Sequence, residues 1–345
     1  MNPVSPILTI AIPTYNRAAK LQAQLERLLP QLTPEVRLCV YDNASPDETR
    51  TVVAKFPGVA YFRAATNCGA GRNFFRCLEE CQTEWLWMLS DDDTALPTAV
   101  AGLLAVLDNQ QCDFIVASCD GSSFKSEVVV NDVTTFFKHA QFSNALWISS
   151  GVYRLAAFRP LFRIYNESLS TWGPQMVMVL ALLESGRGKV LLSPLMLAQP
   201  NHSPPTWSTL DCVLRMSLSP EYLQQPTHQQ LLAEQIFEHW FEGSFFYGLR
   251  ETGSPAEIQR WKRILRQVKG NLRAYQARGT WSYIGRNWFR AGRRKRSLKM
   301  AIESSILALL HACPARFFHA LAKILPLPGI ISNSYDARRK FTSSE

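Results

Sequence analysis

The sequence predicts an α/β protein built on a mostly parallel sheet, and three observations support that class. Short apolar segments alternate with amphipathic helical stretches between residues 7 and 117. The links between them are short, which favours right-handed crossovers and parallel pairing. Polar or acidic residues directly follow several apolar segments, where ligands bind in open α/β sheets. We therefore expect a ligand site at the carboxyl edge of the sheet.

The apolar segments predict the strands in order, and most are too short to be helices. The predicted strands cover residues 7–12, 36–41, 59–62, 85–89, 113–117, an edge strand at 128–130, 147–154 and 190–192. Helices are predicted after residue 17, from the turn at 67–73 to about Cys81, over 97–107 and over 172–183. Beyond Pro200 the pattern is helical. We expect a helical extension after the α/β part.

Composition excludes an obvious membrane-spanning or secreted protein. The chain has 345 residues and is 47% hydrophobic, yet no run reaches the length of a spanning helix. The first residues lack a basic and apolar leader pattern. The 8 cysteines form no Cys-x-x-Cys pair, which favours free thiols in a reducing compartment. These features predict a cytoplasmic protein.

The formal net charge of +9 is distributed unevenly. Residues 1–253 contain 18 Lys and Arg against 24 Asp and Glu, whereas residues 254–299 contain 14 against 1. Cations are therefore expected at the N-terminal part. An anionic partner is expected at the C-terminal part.

The segment 85–93 shows the most specific chemistry. An apolar strand ends directly in Asp91, Asp92 and Asp93, and three adjacent carboxylates repel one another unless a cation lies beside them. Hard oxygen ligands suit Mn²⁺ or Mg²⁺. The alternative is a solvated acidic turn that caps the helix starting near Pro97.

Four segments in register resemble the signatures of family 2 nucleotide-sugar glycosyltransferases, which have the GT-A fold. They are Thr9–Arg17 with its Pro-Thr-Tyr-Asn-Arg end, Val40–Thr49, Asn67 to Asn73, and Leu89–Asp93. The match is good over about residues 1–110 and weak to about residue 210. The resemblance implies a Rossmann-like GT-A domain over 1–210, with a nucleotide-binding half at 1–110 and an acceptor half at 111–210. Residues 211–345 would be a helical, basic and amphipathic region.

The resemblance implies roles for individual residues. Asp42 would accept hydrogen bonds from the nucleotide base, with Tyr15 stacked on it, and Arg72 would meet the base or the diphosphate. Asp91 would hold the ribose and Asp92 the metal, with Asp93 as a second metal contact. The remaining implied donor-binding positions are Pro13, Thr14, Asn16, Asn43, Ser45, Asn67, Gly69 and Asn73. The alternatives are a helix-start cap for Asp42 and a half-buried strand-end aromatic for Tyr15.

The general base departs from the family pattern. The acidic pair of an inverting enzyme falls on Pro174 and Gln175, and neither can accept the proton of an attacking hydroxyl. A similar departure occurs in bacterial polysaccharide and O-antigen transferases that resemble abequosyltransferases. Candidate bases are Glu167, His202 and Asp211. The alternatives are solvated loop or helix-start acids for Glu167 and Asp211, and an exposed loop imidazole or a metal or phosphate contact for His202.

The C-terminal region predicts a membrane-surface contact. Seven basic residues between 286 and 299 lie beside aromatic ones and precede an apolar helical stretch, and such mixtures bind anionic lipid surfaces. A helical face packed on the catalytic domain is the alternative. A nucleic-acid patch is also conceivable, but no nucleic-acid motif accompanies it, so we expect no nucleic-acid partner.

Together these observations predict a metal-dependent, inverting glycosyltransferase. It would move a sugar from a nucleotide donor to a polyprenyl-linked glycan at the inner face of the cell membrane, in lipopolysaccharide or other surface polysaccharide synthesis. Two alternatives stay open. One is a sugar-phosphate nucleotidyltransferase, although its glycine-rich loop is missing after the first strand. The other is a non-catalytic nucleotide-sugar-binding protein that lost its base at Gln175.

Overall fold

The protein is described by a computed structural model that covers residues 5–109, 112–119, 121, 123–200, 209–236 and 255–275. The chain divides into two units. The first comprises Met1–Pro204 with Ser219–Leu232, and the second comprises Pro205–Leu218 with Ala233–Glu345. The domain boundary expected at residue 210 stays a prediction.

An eight-stranded sheet forms the centre of the first unit, in the order β3-β2-β1-β4-β8-β6-β9-β7. Its strands are β1 Leu8–Thr14, β2 Val36–Asp42, β3 Ala60–Arg63, β4 Trp85–Met88, β6 Phe114–Ala117, β7 Val128–Val130, β8 Gly151–Arg154 and β9 Val190–Ser193. Two short strands, β5 Thr94–Ala95 and β10 Ala198–Gln199, pair antiparallel in a separate sheet. The predicted α/β class is confirmed.

The half of the sheet formed by residues 1–110 has the parallel pairing that the sequence predicts. β1 lies between β2 and β4 and is parallel to both, and β2 is parallel to β3. Every residue of β1 and β4 is buried, as expected for strands covered on both faces. The carboxyl ends of β1, β2 and β4 therefore meet at one edge.

The second half of the sheet is mixed. β8 runs antiparallel to both β4 and β6, and the edge strand β7 runs antiparallel to β9. The strand predicted from residue 147 starts later than expected, because Ile148–Ser150 is a 3₁₀ turn. The Ser150 hydroxyl bonds the nearby Asn144 and Trp147 carbonyls, and such local bonds compete with strand pairing. The Ser149 hydroxyl donates instead to the distant Asp93.

Helices cover the sheet of the first unit and make up most of the described residues of the second. In order they are α1 Ala18–Leu28, α2 Thr49–Ala54, α3 Ala70–Glu79, α4 Ala99–Asn109, α5 Val133–His139, α6 Phe142–Leu146, α7 Leu155–Phe158, α8 Phe162–Glu167, α9 Pro174–Glu184, α10 Thr209–Met216, α11 226–236 and α12 Pro255–Ala274. α9 is buried from Pro174 to Leu183. None of the helices within the described ranges is long and apolar enough to cross a bilayer.

In the second unit, α10 and α12 pack together through apolar side chains. Val213 and Met216 are buried on α10, and Val268 and Leu272 on α12. Asn271 also donates a hydrogen bond to Ser217 (2.9 Å). The predicted membrane-surface residues 281–299 and the apolar stretch after them lie outside the described residues.

The loop after β4 is fastened to α1 by one buried side chain. The Gln24 amide donates to the carbonyls of Asp93 (2.8 Å) and Ser90 (3.2 Å) and accepts from the Ala95 backbone N–H (3.1 Å). Gln24 is 1% exposed, so water cannot replace these bonds. The conformation of residues 90–95 therefore depends on Gln24, which precedes Asp93 by 69 positions.

Replacing Gln24 by Met should destabilise the protein by about 2 kcal/mol, because a side chain of similar volume leaves buried backbone groups unpaired. Gln22→Met is the matched control, since Gln22 lies on the same helix and bonds only the exposed Glu26; its effect should stay within about 0.5 kcal/mol. Urea denaturation followed by circular dichroism measures both. Equal effects of the two substitutions would show that the Gln24 bonds do not hold the loop.

Candidate active site

Four loops meet at the carboxyl edge of the sheet. Thr14 at the end of β1 pairs with Asp42 at the end of β2, and Asp42 pairs with Arg63 at the end of β3. The Asn43 N–H donates to the Thr14 carbonyl (3.0 Å), and the Leu89 N–H after β4 donates to the Ala11 carbonyl (2.9 Å). Parallel pairing thus places the polar ends of these strands side by side.

Asp91 joins β1 to the end of β4. Its carboxylate accepts from the Thr14 hydroxyl (2.6 Å) and from the Arg17 guanidinium (2.7 Å). Burial raises the pKa of Asp91 above its ordinary value, although Arg17 and Thr14 act in the opposite direction. Asp91 is 3% exposed, so both of its oxygens serve internal bonds in this structure.

Asp92 is the most accessible of the three acids. Its Oδ1 accepts from the Ser90 hydroxyl (2.6 Å), and its Oδ2 lies 3.0 Å from Arg17 Nη1 and 3.9 Å from Lys20 Nζ. The side chain is 21% exposed. The chain therefore supplies two cations, Arg17 and Lys20, to the place where the sequence predicted a metal ion.

Asp93 has different partners from its two neighbours. Its Oδ2 accepts from Trp147 Nε1 (2.7 Å) and from the Ser149 hydroxyl (2.6 Å), and the residue is buried. Asp93 thereby connects the loop after β4 to the segment that leads into β8. Its expected role as a second metal contact stays a prediction.

Asp42 is fully buried and lies in a network of donors. Its Oδ1 accepts from the Ser45 N–H (2.8 Å), and its Oδ2 accepts from the Tyr61 hydroxyl and the Arg63 guanidinium. Burial alone would raise the pKa of Asp42, but the bonds from Ser45, Tyr61 and Arg63 outweigh it and hold the pKa below its ordinary value. Asp42 is therefore an ionised, internally paired carboxylate.

The loop after β1 and the loop after β2 are joined through Ser45. The Asn16 N–H donates to the Ser45 hydroxyl (2.9 Å), and both Asn16 and Ala44 have positive φ, of 55° and 64°. These left-handed residues produce two sharp turns, and strained turns concentrate at functional sites. Tyr15, next to Asn16, has 42% of its surface exposed, while Pro13 is buried within β1.

The turn before α3 also reaches this edge. Asn43 donates to the Asn67 side chain (2.8 Å), which in turn accepts from the Gly69 N–H (2.9 Å). The buried Asn73 donates to the Tyr41 carbonyl (2.9 Å), so it positions the helix against β2. Asn43, Asn67 and Gly69 are thus brought together as predicted.

Arg72 is not brought to the acid residues. Its guanidinium contacts Asn166 (3.1 Å) and Glu79 (3.4 Å) and lies 4.9 Å from the centre of the Phe75 ring. These contacts are on the exposed side of α3. Arg17, Lys20 and Arg63 are the basic residues that the structure places next to Asp42, Asp91 and Asp92, and the sequence interpretation missed all three.

The candidate bases have different positions. Glu167 forms an exposed ion pair with Arg163 at the end of α8 (3.2 Å). Asp211 lies in the first turn of α10, in the second unit. His202 lies outside the described residues. Their roles stay predictions.

Gln175, which stands where a base was expected, lies in the first turn of α9. Its amide donates to the Leu146 carbonyl (2.7 Å), and its own Oε1 is buried without a partner among the described residues. Leu146 directly precedes Trp147, the partner of Asp93. Gln175 therefore bonds the residue next to Trp147, whose indole N–H bonds Asp93.

Replacing Asp42 by Asn should destabilise the protein by about 1–3 kcal/mol at neutral pH, because donors that face the carboxylate lose their partner. The pKa of Asp42 is lowered by folding, so its contribution is complete above the ordinary carboxyl range and disappears as pH falls through the folded pKa. Urea denaturation of both proteins between pH 7 and pH 3 measures this difference. A difference that stays constant down to pH 3 would contradict the account.

Known proteins resemble this chain both in sequence and in fold. Residues 9–160 match the family "Glycosyl transferase family 2". A Haemophilus influenzae protein named as an uncharacterized glycosyltransferase is 32% identical over 120 residues, which are 33% of this chain and 40% of that protein. An uncharacterized Mycobacterium tuberculosis protein is 30% identical over 105 residues, covering 30% and 33%. The chain thus spans well under half the length of these relatives.

Solved structures extend the likeness beyond the matched segment. The structure of S. aureus TarS 1–349 in complex with UDP has a TM-score of 0.57 at 20% identity, over 76% of this chain and 79% of that one. The complex of TarS 1–349 with UDP-GlcNAc gives 0.54 at 18% identity, over 78% and 83%. At this identity the likeness establishes the fold, which confirms the GT-A prediction. Residues 9–160 therefore resemble a glycosyl transferase family 2 domain, and the solved structures show that the chain has the fold of such enzymes.

Proposed function

We propose that the protein transfers a glycosyl group from a nucleotide-sugar donor to a hydroxyl group of a glycan. The observation that carries this proposal is the meeting of Thr14, Asp42, Asp91 and Asp92 at the carboxyl ends of β1, β2 and β4. In open α/β sheets this edge is where nucleotides bind. The exposed ring of Tyr15 offers a stacking surface for the base at the same edge.

Arg17 and Lys20 are suited to bind the diphosphate. The Arg17 side chain is 35% exposed although it contacts both Asp91 and Asp92, and a guanidinium has five N–H donors, so it can bind phosphate oxygens as well. Lys20 lies one helical turn further along α1, at the edge of the same group. Positive charge held there would stabilise the negative charge that develops on the leaving diphosphate.

Asp92 is the residue suited to hold a divalent metal ion. Mg²⁺ needs only one or two protein carboxylates when substrate phosphates complete its coordination, and Asp92 is the partly exposed acid of the three. Within the described ranges no group of three or more His, Cys, Asp or Glu is placed to bind a metal by itself. A bound Mn²⁺ or Mg²⁺ would neutralise charge on the leaving group.

The acceptor and the cellular site are proposed from the C-terminal region and the resemblance. Residues 254–299 contain 14 basic residues and 1 acidic residue. This positive charge favours contact with an anionic membrane surface. A polyprenyl-linked glycan would be presented there to the enzyme. Inversion at the anomeric carbon, and a role in O-antigen or other surface polysaccharide synthesis, are supported by the resemblance of the four motifs.

Asp92→Asn should abolish the metal dependence of donor binding. Isothermal titration of the full chain with UDP-, dTDP-, GDP- and CDP-sugars, in Mn²⁺ and in EDTA, measures the affinity gained from the metal. We expect the wild-type protein to bind a donor at least tenfold more tightly with Mn²⁺, and the variant to show less than a twofold gain, because Asp92 supplies the protein ligand.

The exposed Asp108 on α4 provides the control. Asp108→Asn removes the same charge at a distance from the sheet edge and should keep the wild-type gain. An Asp92→Asn protein whose affinity still rises tenfold with Mn²⁺ would contradict the metal role of Asp92. Failure of every donor to bind the wild-type protein would contradict the proposed function itself.

A further inference from the structure

We propose that Arg63, held in place by Asp42, contacts the nucleotide base and sets the choice of donor. The site would prefer a base that presents two adjacent acceptors, either cytosine through O2 and N3 or guanine through O6 and N7. Uracil and thymine would bind more weakly. This inference rests on the proposed function, and it differs from the role that the family resemblance implies for Asp42.

Asp42 is not positioned to read a base. It is 0% exposed, and its two oxygens accept three hydrogen bonds, from Ser45, Tyr61 and Arg63. Because Asp42 is buried and already accepts three hydrogen bonds, an N–H group of uracil would have to enter a closed and largely satisfied site to reach the carboxylate. One of the three donors is the charged Arg63 guanidinium, and bonds between charged groups are among the strongest in proteins, so this approach is unfavourable.

Arg63, in contrast, is partly exposed and can only donate hydrogen bonds. Its side chain is 38% exposed, and it is held by Nη1 on Asp42, by Nη2 on the Ser45 carbonyl (2.9 Å) and by a contact with the Tyr61 hydroxyl. The bonds to Asp42 and Ser45 use two of the five N–H donors of a guanidinium. The remaining donors belong to a planar group whose orientation is already set, which lowers the entropy cost of binding a ligand.

Ser45 connects Arg63 to the exposed aromatic ring. Its carbonyl accepts from Arg63 and its hydroxyl accepts from the Asn16 N–H (2.9 Å), and Asn16 directly follows Tyr15. One residue therefore fixes both the loop that carries the stacking surface and the guanidinium. For a base stacked on the Tyr15 ring, the polar side chain fixed to the same residue, Ser45, is the Arg63 guanidinium. A guanidinium only donates hydrogen bonds.

The chemistry of the bases then decides the preference. A guanidinium pairs in bidentate fashion with two adjacent acceptors, as arginine does with guanine O6 and N7. Cytosine offers O2 next to unprotonated N3. Uracil and thymine place an N–H between their two carbonyls, so one donor would face another. Sites built for a given hydrogen-bond pattern strongly disfavour the wrong one.

Titration of the full chain with CDP, GDP, UDP, dTDP and ADP in Mn²⁺ tests this inference. The wild-type protein should bind CDP or GDP at least tenfold more tightly than UDP or dTDP. Arg63→Lys should reduce that ratio to less than threefold, because an ammonium keeps the charge but loses the planar pair of donors.

Tyr61→Phe is the matched control, since it removes the hydroxyl that bonds Asp42 and contacts Arg63 but keeps the guanidinium and its bonds to Asp42 and Ser45. This variant should keep the wild-type ratio, which separates base recognition from general loosening around Asp42. Thermal denaturation of each variant checks that it is folded.

Two results would overturn the inference alone. One is a wild-type protein that binds UDP or dTDP most tightly, and the other is an Arg63→Lys protein with an unchanged ratio. If no nucleoside diphosphate binds the wild-type protein, both the inference on Arg63 and the proposed function fail.

Discussion

The buried carboxylate of Asp91 is the constraint on which the rest of the site depends. It is bonded to Thr14 and Arg17 across a sequence separation of 77 and 74 residues, so it fixes the end of β4 against the loop after β1. Removing a carboxylate from water is costly unless charged and polar partners compensate. Arg17 provides that compensation and, through its second contact with Asp92, also sets the charge at the sheet edge.

The acidic edge is balanced by the chain itself. Three adjacent acids suggested a metal ion, whereas the structure gives each acid partners from the chain itself: Thr14 and Arg17 for Asp91, Arg17 and Lys20 for Asp92, and Trp147 and Ser149 for Asp93. A diphosphate would enter a region where positive charge is already present. Under the proposed function, one accessible carboxylate would suffice to hold a metal ion whose coordination is completed by the substrate phosphates.

The fold was largely predictable because apolar runs and short links directly report buried parallel strands. The site was less predictable, since side-chain direction depends on contacts distant in sequence. Arg63 follows an ordinary edge strand, and only the pairing of β2 with β3 brings it to Asp42. Gln24 resembles any polar helix residue until the loop after β4 is in place. The strand predicted from Trp147 began late because serine hydroxyls bind locally.

A crystal structure of the full chain with a nucleoside diphosphate and Mn²⁺ tests the central claim most directly. We expect a diphosphate within hydrogen-bond distance of Arg17, a metal ion coordinated by Asp92, and a base stacked on Tyr15. A nucleotide bound away from the carboxyl ends of β1, β2 and β4, or a metal ion that Asp92 does not touch, would contradict it.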